Sequence, residues 1–253
     1  MSSSPLVYGI NPVLEALRAG RVSTVQVAGR VDERVATAVR LAEAQGVQVH
    51  RVSMGELDRE TGGARHQGLA AELRAGPRLT LDALIGQLGQ SATPALLVVL
   101  DGVEDPQNLG AIIRSVDAAG AQAVIRQTRR AAPLGGAAAK ASAGAAAHVQ
   151  TVDVVNVARA LEELKQAGIW VVGLAAGAPA RYDQLDYTLP TAVVVGAEGA
   201  GLRRLVRERC DWVVSIPMRG HVESLNASVA AAVILFEAVR QRAAAPGPVR
   251  PRG

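Results

Sequence analysis

The sequence predicts an α/β fold built on a parallel β-sheet with helices on both faces. Three stretches, ALLVVLD at 95–101, IWVVGL at 169–174 and TAVVVG at 191–196, are almost continuously apolar. Such runs are typical of strands that are buried on both faces. Helical patterns alternate with these strands, which is the order of elements in a parallel sheet. With 253 residues, 49% of them hydrophobic, the chain is long enough for one large domain or two modest ones.

The first third of the chain predicts a small alternating unit. We expect Asn11 to cap a first helix that Gly20 ends, and Asp32 to cap a second helix that Gly46 ends. The other elements expected in this unit are strands at 24–28, 47–51 and 68–73 and a short helix at 53–62.

Residues 76–94 interrupt this alternation, because Pro and Gly flank a short amphipathic stretch there. We therefore predict an N-terminal domain over 1–75, a linker over 76–93, a second domain over 94–243 and a disordered tail over 244–253. In the second domain we expect the three apolar strands, strands at 122–126 and 212–217, helices at 108–119, 155–167 and 201–209, a loop-rich stretch at 127–147 and a long helix from 224.

Composition excludes several classes of function. Aromatic residues make up only 2% of the chain, which argues against base-stacking platforms. The formal charge of +4 is compatible with a polyanionic partner, and nearly all the basic residues are Arg. Cys210 is the only cysteine, so no intrachain disulfide forms. We find no secretory signal, no bilayer-length apolar run and no metal-ligand spacing of His. We expect a cytoplasmic protein without membrane contact or metal.

Three predicted strand ends carry unusual sequences, and ligands bind beyond the carboxyl ends of strands in open parallel sheets. The first, LDGVEDPQNLGAIIR, places Asn108, Gly110 and Arg114 on the helix that follows. If Asp105 or Asn108 caps this helix, capping explains one residue but not Asn108, Gly110 and Arg114 together. A glycine within a helix indicates close approach by another backbone.

The second strand end, VVVGAEGAGL, places three glycines and Glu198 in a turn that is, taken alone, typical of an ordinary flexible turn. The third, HVESLNAS, groups Glu223, Ser224, Asn226 and Ser228 before an apolar helix. One of these residues suffices to cap the helix, and buried polar groups need partners. We therefore expect the others to face a ligand.

Together, DPQNLGAIIR, GAEGAG and IPMRGHVESLNAS resemble the three signature motifs of the SpoU or TrmH-type RNA 2′-O-ribose methyltransferases of the SPOUT superfamily. KASAGA at 140–145 is similar to a segment between the first two motifs. VYGINPVLEAL and RHQGLAAEL are similar to the ribosomal-protein-like domain of the RlmB-type branch. The resemblance implies a sheet whose C-terminal segment threads a trefoil knot, a homodimer, and methyl transfer from S-adenosylmethionine to a ribose hydroxyl, expected to be that of a guanosine in 23S ribosomal RNA.

The resemblance also implies the site residues. The catalytic set falls on Asn108, Arg114, Glu198, Ser224 and Asn226. The residues expected around the cofactor are Gly196, Ile216, Met218 and Leu225. From their position after a predicted strand, Arg126, Arg129 and Arg130 are candidates for RNA phosphate contacts, and a solvated charged loop is the alternative.

Four alternatives remain open at this point. The chain resembles transfer RNA ribose methyltransferases, and also resistance enzymes that modify ribosomal RNA. It would be a non-catalytic RNA-binding protein only if catalysis had been lost, and the intact motif residues argue against that. A nucleotide-dependent oxidoreductase would need G-x-G-x-x-G after its first strand, and that motif is not in place.

Overall fold

A computed structural model of the chain describes residues 6–30, 32–74, 79–129, 131–132 and 134–244. The chain divides into two compact units, each with its own sheet and core. The first unit comprises Met1–Arg78, Asp105–Arg114 and Ala132–Val149, and the second comprises Leu79–Glu104, Ser115–Ala131 and Gln150–Gly253. Of the predicted tail at 244–253, residues 245–253 lie outside the described residues.

The first unit contains a four-stranded sheet in the order β1-β4-β2-β3. Its strands are β1 (Leu6–Tyr8), β2 (Val22–Ala28), β3 (Gln48–Val52) and β4 (Leu69–Leu73). Its helices are α1 (Ile10–Arg18), α2 (Glu33–Ala44) and α3 (Met54–Glu60). Strands β2 and β3 are parallel, whereas β4 is antiparallel to both β1 and β2. The alternating elements expected for the first third of the chain are confirmed.

The helix caps of this unit agree with the sequence in one case and differ in another. Asp32 caps α2, because its carboxylate accepts a hydrogen bond of 2.8 Å from the N–H of Val35. Asn11 does not cap α1, which begins one residue earlier, at Ile10. The side-chain oxygen of Gln67 accepts from the N–H of Ile10 at 3.3 Å instead. A distant residue thus supplies what the prediction assigned to Asn11.

The first unit also includes a short helix, α6 (Gly136–Ala141), and a 3₁₀ turn at Ala145–Ala147. Both lie in the stretch that the sequence predicted as loop-rich. Arg21 donates to the carbonyls of this turn, at 3.2 and 3.1 Å. Glu15 accepts from the imidazole Nε2 of His148 at 3.0 Å. Helix α6 forms because its sequence, GAAAKA, consists mostly of Ala, the best helix former. Its Ala139 packs in the hydrophobic core of this unit.

The second unit contains a seven-stranded sheet in the order β7-β6-β5-β10-β8-β11-β9, and every pair of neighbouring strands is parallel. The predicted parallel sheet is confirmed. Its strands are β5 (Leu96–Asp101), β6 (Ala123–Gln127), β7 (Gln150–Val154), β8 (Trp170–Leu174), β9 (Ala180–Arg181), β10 (Thr191–Gly196) and β11 (Trp212–Ser215). Strands β7 and β9 were not predicted.

Helices of the second unit are α4 (Leu81–Gly89), α7 (Val157–Gln166), α8 (Arg204–Arg209) and α9 (Ala227–Ala244), and helix α5 (Pro106–Ala118) has residues in both units. Every residue of β5 and β10 is buried, as their apolar runs predicted. Leu81 and Leu84 of α4, within the stretch assigned to a linker, are buried in the same core. Among the described residues, no helix is both long enough and apolar enough to cross a membrane.

Two helices start three residues later than predicted. Helix α8 begins at Arg204 rather than at 201, and helix α9 begins at Ala227 rather than at 224. The body of α9 is not uniformly buried either, because Val229 is 48% exposed and Phe236 is 49% exposed. An 18-residue helix that lies on a sheet buries one face only.

Candidate active site

The carboxyl edge of the second unit's sheet carries two of the three motifs. Strand β5 ends at Asp101 and its neighbour β10 ends at Gly196, and these two residues are paired in register. Strand β11 ends at Ser215 on the same edge, because all these strands are parallel. The turn after β10 and the segment after β11 therefore leave the sheet at the edge where ligands of such sheets bind.

The turn after β10, residues 196–201, is closed on itself. The N–H of Ala197 donates to the carbonyl of Gly201 at 3.2 Å, and the N–H of Gly201 donates to the carbonyl of Ala197 at 2.8 Å. A Cβ atom on Gly196 would lie 2.2 Å from the carbonyl carbon of Gly201, so only glycine fits there. Gly201 has a φ of +65°, which favours glycine for conformational reasons. This turn therefore has a defined shape and is not merely flexible.

The segment between β11 and α9, residues 216–226, has no regular secondary structure. Ile216, Met218 and Leu225 are half-buried in it, whereas Ser224 and Asn226 are exposed. The expectation that the polar cluster is buried at the start of a helix is wrong. Glu223, Ser224 and Asn226 lie in the loop because α9 begins only at Ala227, and Ser228 lies in the first turn of α9.

The side chain of Asn226 has two roles at the start of α9. Its side-chain oxygen accepts from the N–H of Ser228 at 2.9 Å and from the hydroxyl of Ser228 at 2.6 Å, so Asn226 caps α9. Its amide nitrogen donates to Oε1 of Glu198 at 3.0 Å. This bond joins the segment after β11 to the turn after β10. The structure thus brings together the predicted site residues Glu198 and Asn226.

Helix α5 carries the other two predicted catalytic residues. Its cap is Asp105, whose carboxylate accepts from the N–H of Gln107 at 2.9 Å. Capping of α5 therefore does not explain the presence of Asn108. Asn108 is only 6% exposed, whereas Arg114 is exposed on the same helix. Asn108 and Arg114 both belong to the first unit. The prediction that they share a pocket with Glu198 and Asn226 stays a prediction.

Gly110 of α5 packs directly on the backbone of α6. A Cβ atom at Gly110 would lie 2.5 Å from the carbonyl oxygen of Ala138 and 2.9 Å from the nitrogen of Ser142. The close backbone approach that the sequence indicated at Gly110 is confirmed.

The arginines proposed for RNA differ in their surroundings. The Nε of Arg126 lies 2.8 Å from Oδ1 of Asp153, and the Arg126 side chain is only 12% exposed. Arg129 is exposed, and Arg130 lies outside the described residues. The RNA contacts of all three stay predictions.

One ion pair at this edge was not recognised from the sequence. Asp101 is fully buried, and its carboxylate accepts from the backbone N–H of Arg203 at 2.8 Å and from the Nε of Arg203 at 2.6 Å. The sequence signal was an acidic residue at the end of an otherwise apolar strand, but its partner lies far along the chain. Within the described part of the chain, no group of three or more His, Cys, Asp and Glu side chains could hold a metal ion.

Comparison with known proteins agrees with the motifs. Residues 95–236 match the model of the SpoU rRNA methylase family, and residues 6–78 match that of the RNA 2′-O ribose methyltransferase substrate-binding domain. A Ralstonia nicotianae protein named 23S rRNA (guanosine-2′-O-)-methyltransferase RlmB is 46% identical over 250 residues, which cover 97% of this chain and 99% of that protein. An uncharacterized tRNA/rRNA methyltransferase of Mycolicibacterium smegmatis is 47% identical over 240 residues, which cover 94% of this chain and 76% of that protein.

Solved structures agree as well. The SpoU methyltransferase AviRb from Streptomyces viridochromogenes, in complex with the cofactor AdoMet, superposes with a TM-score of 0.79 at 29% identity, covering 94% of this chain and 90% of that one. The A. aeolicus TrmH/SpoU tRNA modifying enzyme covers only 66% of this chain and 86% of its own, with a TM-score of 0.52 and 29% identity. The chain belongs to the SpoU rRNA methylase family.

Proposed function

We propose that this protein transfers a methyl group from S-adenosylmethionine to the ribose 2′-hydroxyl of a guanosine in 23S ribosomal RNA. The observation that carries the proposal is the 46% identity to the RlmB protein over nearly the full length of both chains. A transfer RNA substrate is less well supported, because the tRNA-modifying neighbour covers only 66% of this chain. An RNA substrate of this kind implies a cytoplasmic enzyme.

The residues at the carboxyl edge suit a nucleoside cofactor. The turn at 196–201 has only one side chain larger than a methyl group, that of Glu198, so a nucleoside can approach its backbone closely. Ile216, Met218 and Leu225 present half-buried apolar side chains that would pack against the adenine ring. When bound, S-adenosylmethionine supplies a methyl group that its sulfonium centre already activates.

The chain's own residues then need to position the ribose hydroxyl and assist the loss of its proton. Arginine rarely gives up a proton, so we assign Arg114 to a substrate phosphate and to the developing alkoxide, as a permanent positive charge. Asn108, Ser224 and Asn226 orient the hydroxyl and the cofactor. Glu198 fixes the amide of Asn226, which the 3.0 Å bond between them supports.

The first unit serves to bind RNA in this proposal. Its residues 6–78 match a substrate-binding model, which supports an RNA-binding domain over 1–75 of the ribosomal-protein-like kind. Structured RNA is recognised mainly by shape and by phosphate contacts, since the major groove of an A-form helix is too narrow for side chains. Arg126, Arg129 and Arg130 remain candidates for phosphate contacts outside this domain.

We also propose that the enzyme is a homodimer and that its C-terminal segment is threaded as a trefoil knot. The dimer is supported by an apolar stripe on α9, where Val229 and Phe236 are each about half exposed and Ala232 and Val233 lie between them on the same face. Phe236→Glu should convert the dimer to monomer in sedimentation velocity, and a monomeric wild type would contradict the proposal.

The function is tested by incubating the protein with labelled S-adenosylmethionine and deproteinised 23S, 16S or transfer RNA. Sites of 2′-O-methylation resist alkaline cleavage and are mapped by sequencing. We expect one site, a guanosine in 23S RNA. Transfer RNA labelling alone would contradict the substrate, and no labelling of any RNA would favour a non-catalytic RNA-binding protein.

The role of Arg114 has its own test. Arg114→Ala should abolish methyl transfer, with a loss of about 100-fold or more, and should leave the affinity for S-adenosylmethionine unchanged. Asp117→Ala, at an exposed position of the same helix, is the matched control and should keep near wild-type activity. If Arg114→Ala loses cofactor binding as well, the assignment of Arg114 to the RNA side is wrong.

A further inference from the structure

We infer that Asp101 and Arg203 are positioning residues that hold the turn after β10 in its cofactor-binding shape. This inference rests on the proposed function, which places the cofactor on that turn. Neither residue contacts the reacting atoms in this view. Both act through the backbone of residues 197–202, which lies between Gly196 and Arg203 in the chain.

Both ends of this turn are attached to the same residue. At its start, Gly196 is the register partner of Asp101 across β10 and β5. At its end, the backbone N–H and the Nε of Arg203 both donate to the Asp101 carboxylate, at 2.8 and 2.6 Å, and Nη2 of Arg203 completes an ion pair with it. Asp101 therefore closes the turn into a loop of fixed span.

The burial of Asp101 makes this attachment strong. Asp101 is fully buried, and a buried carboxylate is destabilising unless it is paired and hydrogen-bonded. The planar guanidinium of Arg203 satisfies it in a fixed geometry that the flexible ammonium of lysine does not reproduce. Nη2 of Arg203 also donates to Oε1 of Gln127, at the end of β6, at 2.8 Å. The one side chain thus links the turn to the ends of β5 and β6.

The turn needs such an attachment because of its composition. Glycines at positions 196, 199 and 201 give an unfolded or loosened turn many conformations, so its ordering is entropically costly. The bond from Asn226 to Glu198 also attaches the turn, but it joins two exposed residues and contributes less. A turn that is already ordered binds its ligand without that entropic cost.

The neighbouring Arg204 provides a matched control. Its side chain is 78% exposed and pairs with Glu208 one turn along α8 at 2.7 Å. Arg203→Met and Arg204→Met therefore remove the same charge from adjacent positions, and only the first releases Asp101. Arg203→Lys keeps the positive charge beside Asp101 without the guanidinium fork.

The test compares these full-length variants, without RNA for cofactor binding and hydrogen exchange and with RNA for the kinetics. We measure the Kd of S-adenosylmethionine by calorimetry, the hydrogen exchange of a peptide covering 197–202 in ligand-free protein, and the steady-state constants with RNA. For Arg203→Met we expect Kd and KM for S-adenosylmethionine to rise about tenfold or more, faster exchange of that peptide, and kcat within about twofold of wild type. Arg204→Met should stay within about twofold throughout, and Arg203→Lys should lie between.

The outcomes separate the inference from the proposed function. If wild type does not bind S-adenosylmethionine, the proposed function fails. The inference is overturned if wild type binds S-adenosylmethionine, Arg203→Met binds it with the same Kd as Arg204→Met, and hydrogen exchange of 197–202 is unchanged. The pair of Asp101 and Arg203 is then merely structural. If Arg203→Met does not fold, Arg203→Lys decides in its place, and wild-type affinity in that variant overturns the inference equally.

Discussion

Gly110→Ala should destabilise the protein although alanine is the better helix former. The new Cβ would lie 2.4 Å from the Cβ of Ala141 and 2.5 Å from the carbonyl oxygen of Ala138, whereas ordinary carbon contacts are about 3.5–4.0 Å. Helices α5 and α6 must therefore separate by about 1 Å. Overpacking of this kind costs about 1–3 kcal/mol, against a helix-propensity gain of about 1 kcal/mol.

The matched control is Gly86→Ala in α4, where a Cβ meets nothing within 4 Å. It receives the propensity gain alone and should be stabilised by about 0.5–1 kcal/mol. The two variants should thus differ by about 2 kcal/mol, or about 4–8 °C in Tm for a chain of this size. Differential scanning calorimetry and urea unfolding measure the difference. If Gly110→Ala is stabilised as much as Gly86→Ala, the argument from backbone contact is refuted.

Catalysis gives a second readout of the same substitution. Gly110 lies between Asn108 and Arg114 on α5. A displacement of about 1 Å of positioned groups costs on the order of 100-fold in rate. We therefore expect Gly110→Ala to lower kcat by at least about tenfold while Gly86→Ala keeps wild-type kcat. Equal kcat values in the two variants would show that α5 tolerates the shift or does not carry the catalytic residues.

Two further predictions concern the C-terminal helix. Arg242→Met should destabilise the protein by about 2–4 kcal/mol in urea unfolding, because the Arg242 guanidinium donates to four backbone carbonyls that precede β5 and β10. Arg240→Met removes an ion pair whose arginine is 66% exposed, while Gln241 still donates to the Glu237 carboxylate, so it should cost less than about 1 kcal/mol. Equal losses in the two variants would contradict this account. The hydrogen bonds from Arg240 hold the pKa of Glu237 below its ordinary value of 4.5, so the stability that Glu237 contributes is present above that pH and is lost as the pH falls through the lowered pKa. Melting temperatures should therefore drop less on acidification in Glu237→Gln than in wild type, and parallel curves would refute the assignment.

The sequence predicted the central sheet well because its strands are defined by composition. Strands β5 and β10 are buried on both faces and read as continuous apolar runs. Strand β7 was missed because QTVDV contains polar residues and lies at the edge of the sheet. Asp153 of β7 forms an ion pair with Arg126, its register partner on β6. The sequence of one strand does not show which strand it pairs with.

The sequence predicted those residues of the site that lie within its short sequence motifs. The bond between Glu198 and Asn226 joins two recognised motifs. The cap of α1 and the partner of Asp101 were missed for one reason, because each depends on a residue distant in the chain, Gln67 in the first case and Arg203 in the second. Local pattern therefore identifies motif residues, whereas the residues that hold them are identified only from the folded structure.

Polar residues at the carboxyl ends of parallel strands have two separable roles in this protein. Some of them form an ion pair with the opposite charge at the same register of the next strand, as Arg126 does with Asp153. Such a pair stabilises the sheet itself. Asp101 differs, because its register partner Gly196 has no side chain. Its buried carboxylate must therefore find a cation beyond the sheet, and it does so in Arg203, at the far end of the glycine turn. Gly196 thus makes room for the tight turn, and Asp101, its register partner, holds the turn in place. Replacing either residue should disturb the backbone of residues 197–202.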